Sequence, residues 1–315
     1  MIALHALPPS RLFMISTLAV LAVVTLGVAL KEVHRSGQDR QRSEVLVRTR
    51  TWWLIVLPLF GTLSASRGAA ISFFCIVFYL AFKEYLTFIP TRRADHRVLF
   101  WAYLAIPIQY YFAYISWYGM FIIFIPVYCF LLLPVRMLLR GDTQGFLKAV
   151  GTLHWGLMTT VFSLSHAAFL LTLRGEDVEG DYGVSLVLLL VILTEANDIA
   201  QFCWGKGFGH AKVVPSVSPN KTWAGLAGGV ATTALLAGLV GPYLTPMTVS
   251  QALLAGVLIG ISGFFGDICV SAIKRDIGIK DTGNMLPGHG GILDRVDSLT
   301  FTAPVFFHFI YYTYH

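Results

Sequence analysis

Charge is what this 315-residue sequence has least of. Asp, Glu, Lys and Arg together make up 13% of it, against about a quarter in an ordinary soluble domain, while 56% is hydrophobic. Mean hydropathy is +0.69. Soluble domains of this composition would have almost no polar surface, so the chain reads as one membrane-embedded unit. Cysteine is scarce as well. Cys75, Cys129, Cys203 and Cys269 each lie in or at the end of an apolar run, and none has a CxxC partner. Disulfides and a structural zinc site are therefore not expected. No basic tract with interleaved aromatics is present, so the net charge of +6 does not point to nucleic acid. It fits basic loops lying against anionic lipid. Internal repeats and long polar linkers are missing too, which argues against a transporter built of inverted repeats. No small-residue cleavage site follows the apolar run from Ile15 to Leu30. Lys31, Glu32, Val33, His34 and Arg35 stand there instead, and the run reads as a retained span.

What is present in abundance is apolar runs long enough to cross a bilayer as helices. The expected spans are residues 11–30, 51–66, 68–82, 98–116, 118–135, 149–173, 183–203, 224–246, 249–270 and 299–314. Nine or ten helices is the expectation, since the second and third are short and the turn near Tyr118 and Gly119 is weakly marked. The fold class is an all-α polytopic membrane protein. Residues 1–180 form N-terminal transmembrane helices, and residues 181–315 form a C-terminal catalytic region of the same membrane domain. With ten spans and the N-terminal end outside, 20 of the 23 basic residues fall on inner loops. Only Arg11, Arg67 and Arg174 fall outside, the last followed by the acidic residues Glu176, Asp177, Glu179 and Asp181. The positive-inside rule then places the chemistry on the cytoplasmic face of the cell (inner) membrane.

The distinctive charge gathers between Ser271 and Asp297. Asp267, Ser271 and Lys274 recur at helical spacing and line one face. Asp267 sits within an apolar run, where ionisable groups are rare and usually functional. A loop follows with Gly283, Pro287-Gly288 and Gly290-Gly291, whose backbone can approach an anion closely. Asp294 and Asp297 then open the last helix, with Arg295 between them. Carboxylates and cations around a glycine loop suit polyphosphate chemistry: hard oxygens for Mg²⁺ and basic groups for phosphate. No nucleophilic side chain is required, because such transfers depend on positioning and electrostatics. Solvated loop charges paired with one another are the bland alternative. A second segment holds Asn197, Asp198, the turn Gly205-Lys206-Gly207-Phe208-Gly209, and Ser218-Pro219-Asn220-Lys221-Thr222. Thr194, Asp198 and Gln201 form a polar stripe at the inner end of its span. The Gly-Lys turn looks able to cradle phosphate, and Lys221 able to reach back to one; an ordinary loop and helix cap is the alternative.

The pattern Ser271-x2-Lys274-Arg275-x4-Lys280-Asp281-x5-Pro287-x-His289-Gly290-Gly291-x2-Asp294-Arg295-x-Asp297 resembles the C-terminal signature of the phosphatidate cytidylyltransferase (CDP-diacylglycerol synthase) family. The segments at 197–209 and 218–223 resemble that family in the same order. The resemblance covers roughly residues 190–300. It implies transfer of CMP from CTP to phosphatidate, giving CDP-diacylglycerol and pyrophosphate, with Mg²⁺ as cofactor. Asp267 and Asp294 are the implied metal ligands, with Asp297, Asp281 and Asp198 next. Lys274, Arg275, Lys280 and Arg295 are the implied phosphate contacts, joined by Lys206 and Lys221. Asn197, Asp198, Ser218, Thr222 and Ser271 complete the implied substrate-binding set. His289 reads as a loop or phosphate contact rather than a general acid. Gln201 stands where an aromatic is usual and Ala224 where Glu is usual, which puts the acceptor lipid in question. The partners implied are CTP, phosphatidate and the lipid bilayer, with a homodimer left open. A lateral opening near the inner ends of spans seven to nine would admit the lipid.

Elsewhere, His154 and His166 read as neutral, hydrogen-bonded bundle residues. Trp52, Trp53, Trp117, Tyr311 and Tyr312 read as interfacial anchors, and Glu195 has no evident role. A CTP-dependent kinase of a membrane alcohol is the nearest rival activity. It would need a general base and would release CDP. A transporter is the rival from another class; its charges would spread through the bundle rather than gather at one end.

Overall fold

The computed structural model describes residues 7–34, 44–89, 96–139, 141, 143–174 and 182–315. The basic residues Arg35, Arg40, Arg42, Arg92, Arg93 and Arg140, and the acidic run at 176–181, lie outside these. The described residues are overwhelmingly helical. The helices are α1 (Pro9–His34), α2 (Glu44–Ala65), α3 (Arg67–Phe88), α4 (His96–Tyr114), α5 (Tyr118–Ile123), α6 (Phe130–Leu138), α7 (Phe146–Gly156), α8 (Leu164–Leu170), α9 (Tyr182–Phe208), α10 (Trp223–Leu244), α11 (Val249–Asp276), α12 (Leu293–Val296) and α13 (Leu299–Tyr314).

Every expected span coincides with one of these helices or with a continuous pair. Among the described residues, six stretches are long and apolar enough to cross a membrane: Pro9–Lys31, Arg67–Phe88, Tyr118–Leu138, Tyr182–Phe208, Trp223–Leu244 and Val249–Asp276. Of the others, α2 carries Arg48 and Arg50 in its opening turns, and α13 is only 16 residues long. Length and composition alone pick out these six among the described residues, and the other expected spans also fall on helices. The weakly marked turn is real. Ser116 adopts φ +57, reversing the chain between α4 and α5.

Two spans are not uniform α-helices. A π-helical stretch, Phe124–Cys129, joins α5 to α6. Pro126 lies inside it and has no N–H to give to an α turn. A second, Leu157–Ser163, joins α7 to α8. There the hydroxyls of Thr159 and Thr160 donate to the carbonyls of Trp155 and Gly156, each at 2.8 Å. Such back-bonding competes with the backbone ladder.

Lipid supplies no hydrophobic drive between helices, so close packing at small residues must hold the bundle together. The seam between α9 and α10 is built this way. A Cβ at Gly225 would strike the Gln201 carbonyl, and one at Gly228 would strike the Trp204 ring. Between α10 and α11, Gly256 lies against Ala234, and Gly260 against Val230. The core at α3, α5, α8 and α13 is aromatic, with Phe78, Phe82, Phe121, Phe306 and Phe307 fully buried. His166 is buried among these rings, its Nδ1 2.9 Å from the Phe162 carbonyl. Large apolar side chains such as Val23, Leu57, Phe100, Leu132 and Leu239 point outward, as a lipid-facing belt requires. The C-terminal ends of α9 and α11 and the N-terminal ends of α10, α12 and α13 meet at one end of this bundle.

Candidate active site

Lys274, near the end of α11, donates to Asp294 Oδ1 at 3.0 Å, and both residues are buried. Asp294 Oδ2 accepts the backbone N–H groups of Thr282 at 2.9 Å and Gly291 at 3.0 Å. One carboxylate thus ties the end of α11 to both flanks of the glycine loop. Burial alone would raise the Asp294 carboxyl. The Gly291 N–H, the Lys274 ammonium and the Thr282 N–H outweigh it and hold the group below the usual carboxylate range.

The loop itself is a tight reversal. His289 N–H donates to the Leu286 carbonyl at 2.9 Å across Pro287 and Gly288, and Gly288 has φ +74. Proline followed by a left-handed glycine is the type II arrangement. Gly290, at φ +80, then brings the chain back so that its carbonyl accepts the Leu286 N–H at 2.9 Å. The turn rests on α2. Thr51 Oγ1 donates to the Pro287 carbonyl at 2.6 Å, and the Trp52 ring lies edge-on to His289 with centroids 5.9 Å apart. Burial lowers His289 below its ordinary value, and the Arg295 and Arg48 charges lower it further, so the imidazole is neutral at pH 7.

Glu84 was not among the expected site residues. It lies buried on α3, and its Oε2 accepts the Leu293 N–H at 2.8 Å. Its Oε1 and Thr282 Oγ1 are buried without hydrogen-bond partners. A Cβ at Gly291 would collide with both atoms. That is why glycine stands at this position: a carboxylate from the N-terminal half occupies the space. The only sequence signal was a carboxylate next to Lys83 near the end of an apolar span.

The second segment meets the first at Asp267. Lys221 Nζ lies 2.6 Å from Asp267 Oδ2 and donates to Gln201 Oε1 at 2.9 Å. Its charge also sits 5.5 Å from the centre of the Phe264 ring. Ser271 Oγ donates to Asp267 Oδ1 at 3.1 Å, and Ser298 Oγ to Asp198 Oδ2 at 2.9 Å. Arg275 bridges the loops, donating from Nε to the Val217 carbonyl and from Nη1 to the Ile279 carbonyl, both at 3.2 Å. Asp297, just before α13, is raised well above the usual carboxylate range by burial, and next by the Asp267 and Asp198 charges. Three carboxylates therefore face one region beside Lys221.

The remaining expected residues take different places. Asn197 is fully buried between helices, donating to the Gly260 carbonyl at 3.3 Å and accepting from Thr233 at 3.2 Å. Thr222 caps α10, its Oγ1 accepting the Gly225 N–H at 3.1 Å. Ser218 supports the turn that presents Lys221, whose N–H donates to the Ser218 carbonyl at 3.2 Å. Lys280, Asp281 and Arg295 are exposed. Lys206 is exposed too, 5.9 Å from the centre of the Phe202 ring. The stretch 205–208 is not a cradle but the last turn of α9. Gly205, and Gly209 just beyond the helix, lie against Thr222 at the start of α10, while Gly207 faces open space.

Among the described residues, no three His, Cys, Asp or Glu side chains are already arranged to hold a metal ion. One atom nevertheless asks for a cation. Asp198 Oδ1 is buried with no hydrogen-bond partner, facing the same region as Asp267 and Asp297. An orphaned carboxylate oxygen beside two further carboxylates is a donor set of the hard-oxygen kind that Mg²⁺ takes. The residues fit such a cation in the chemistry of their oxygens, without forming a ligand shell.

A sequence profile described as the cytidylyltransferase family matches residues 46–313. The chain belongs to that family. Its relatives include the Escherichia coli K12 protein YnbB, itself uncharacterized, which is 51% identical over 274 residues, covering 87% of this chain and 90% of that protein. The phosphatidate cytidylyltransferase of Haemophilus influenzae is 37% identical over 153 residues, covering 46% of this chain and 53% of that enzyme. The Pseudomonas aeruginosa phosphatidate cytidylyltransferase is 42% identical over 123 residues, covering 38% and 45%. The chain thus spans about half the length of these two named enzymes. It is a multi-pass membrane nucleotidyltransferase of the cytidylyltransferase family.

Proposed function

We propose that this protein transfers CMP from CTP to phosphatidate, giving CDP-diacylglycerol and pyrophosphate at the cytoplasmic face of the membrane. A phosphate oxygen of the lipid attacks the α-phosphorus of CTP. The bond from that phosphorus to the oxygen bridging to the β-phosphate breaks, and its electron pair leaves with pyrophosphate. The observation that carries this reading is the meeting of Lys221 and Asp267, 2.6 Å apart, beside Asp198 and Asp297. That contact joins two separate polar segments into one charged site at the end of α9.

Lys221 and Arg275 suit the phosphate oxygens of the nucleotide. Lys280 and Arg295, being exposed, are free to turn toward developing charge on pyrophosphate. Lys274 is committed to Asp294 and acts by shaping the loop that receives the nucleotide. Asp198, Asp267 and Asp297 are the residues proposed to hold Mg²⁺, which when bound neutralises phosphate charge. Asp294, which joins Lys274 on α11 to the N–H groups of Thr282 and Gly291, is proposed as the organiser of the loop. No general base is needed, because a phosphate monoester is already an anion at pH 7. The inward-facing orientation rests on the 20 basic residues expected on that side.

The test uses purified protein, CTP labelled at the α-phosphate, phosphatidate and Mg²⁺. Label in the lipid together with free pyrophosphate is the expected result. Release of CDP with no labelled lipid would instead identify a kinase and exclude the transferase.

A further inference from the structure

Helices α4 and α6 run past each other in opposite senses, the chain having reversed at Ser116 and passed through the π-helical stretch Phe124–Cys129. Between them lies a cavity of about 400 Å³. Its floor is small and buried, with Ala105 on α4 and Cys129 at the end of the π-helical stretch. Its walls are large and face outward, Trp101 on one side and Leu132 and Leu139 on the other. Small residues below and large ones at the edges make a groove. Along one wall its lining runs from residue 124 to residue 139, about 20 Å of helix. That lining is apolar apart from Arg136, in the last turn of α6. Arg97 stands one turn before Trp101 on α4 and so shares its face at the same end of the groove.

The cationic end lies on the same membrane face as the candidate active site. Tyr103, just after Trp101, packs on Phe82, just before Glu84, with ring centroids 5.4 Å apart. Among the described residues neither Arg97 nor Arg136 has a hydrogen-bond or ion-pair partner, and both are exposed. A guanidinium stays charged at any accessible pH. At the edge of a bilayer its counter-charge is lipid phosphate, whose oxygens its fork matches. The apolar remainder of the groove suits hydrocarbon. An occupant that satisfies both ends is amphipathic, with an anionic head and an acyl tail. A neutral lipid gains nothing from the arginines. A second copy of this chain, at a net charge of +6, brings like charge toward them.

We propose that this groove binds an anionic phospholipid, an acyl chain lying between α4 and α6 and the phosphate held by Arg136 and Arg97. The reading does not depend on the proposed reaction.

Binding is measured on the full chain in detergent. Native mass spectrometry counts retained phosphatidylglycerol against phosphatidylcholine when both are supplied. The wild type is expected to favour phosphatidylglycerol. Arg97→Gln/Arg136→Gln, at two exposed positions, is expected to reduce that preference by at least about tenfold. Ala105→Leu, which fills the floor, is expected to reduce retention of phosphatidylglycerol, with its unfolding midpoint checked against wild type. Should that variant not fold, Leu132→Trp narrows the groove from its outer wall instead and is expected to act in the same direction. Equal retention of the two lipids by the wild type overturns the proposal, because the groove then takes bulk lipid. A preference that survives loss of both arginines overturns it as well, as does one that survives filling of the groove. A wild type that carries no lipid but forms a dimer broken by the groove variant would give this face to a second copy, and that too overturns the proposal.

Discussion

Glu84 and Leu293 are 209 residues apart in sequence, yet the Glu84 carboxylate accepts the Leu293 N–H at 2.8 Å. The N-terminal helices thus do more than anchor the chain. One of them reaches into the loop where the chemistry is proposed to occur, and fixes where α12 begins.

Replacing Glu84 tests that role. Glu84→Ala orphans the buried Leu293 N–H, which costs about 1–3 kcal/mol, and leaves Gly283 and Gly291 unsupported. Glu84→Gln keeps an acceptor oxygen at the same place. Alanine is expected to raise the KM for CTP and lower the unfolding midpoint, with glutamine close to wild type. If Glu84→Ala matches wild type in both respects, the loop does not depend on α3.

The Lys274–Asp294 pair sets a prediction about stability and pH. Asp294→Asn leaves a buried ammonium without its counter-charge, a loss of about 3–5 kcal/mol for such pairs. The folded state holds the Asp294 carboxyl below its ordinary value. The stabilisation is therefore fully present above the ordinary carboxylate pKa of about 4 and fades as pH falls through the lowered value. Unfolding midpoints of wild type and Asp294→Asn should differ by a constant amount near neutrality and converge only in acid. A gap that closes between pH 8 and 6 would contradict this assignment. Lys274→Met/Asp294→Leu should regain part of the lost stability without regaining activity.

Lys221 and Gln201 separate two kinds of loss. Lys221→Met removes the partner of Asp267 and a phosphate donor at once, with an expected drop in kcat on the order of 10²-fold. Gln201→Leu removes one acceptor while Lys221 keeps Asp267, so less than about a tenfold loss is expected. Steady-state kinetics with CTP as the varied substrate reads both. Similar losses in the two variants would show that Gln201, not the charge, positions the lysine.

His289 is neutral at pH 7 and packed against Trp52. If it holds the turn rather than passing a proton, His289→Asn lowers activity without moving the pH profile of kcat. A limb that disappears in the variant would assign it acid–base work after all.

Much of this was legible in the sequence, and what was not has identifiable causes. The spans were legible because lipid demands long apolar helices, whatever packs against them. The polar stripe was legible as well: Thr194 donates to Thr302 at 3.1 Å, while Asp198 and Gln201 accept from Ser298 and Lys221. The π-helical stretches were hidden because hydropathy does not distinguish them from α turns. Gly205 to Gly209 misled because glycine serves both close helix packing and anion cradling, and only the neighbour, here Thr222, tells which. Glu84 was missed because its partner is a backbone N–H, which no side-chain motif encodes.

The glycine seam between α9 and α10 bears on how an acceptor arrives. With Gly225 against the Gln201 carbonyl and Gly229 against the Gln201 side chain, an acyl chain has no room to slip between the two helices. The acceptor lipid of the proposed reaction would therefore have to reach the site from the bilayer by a path other than this seam.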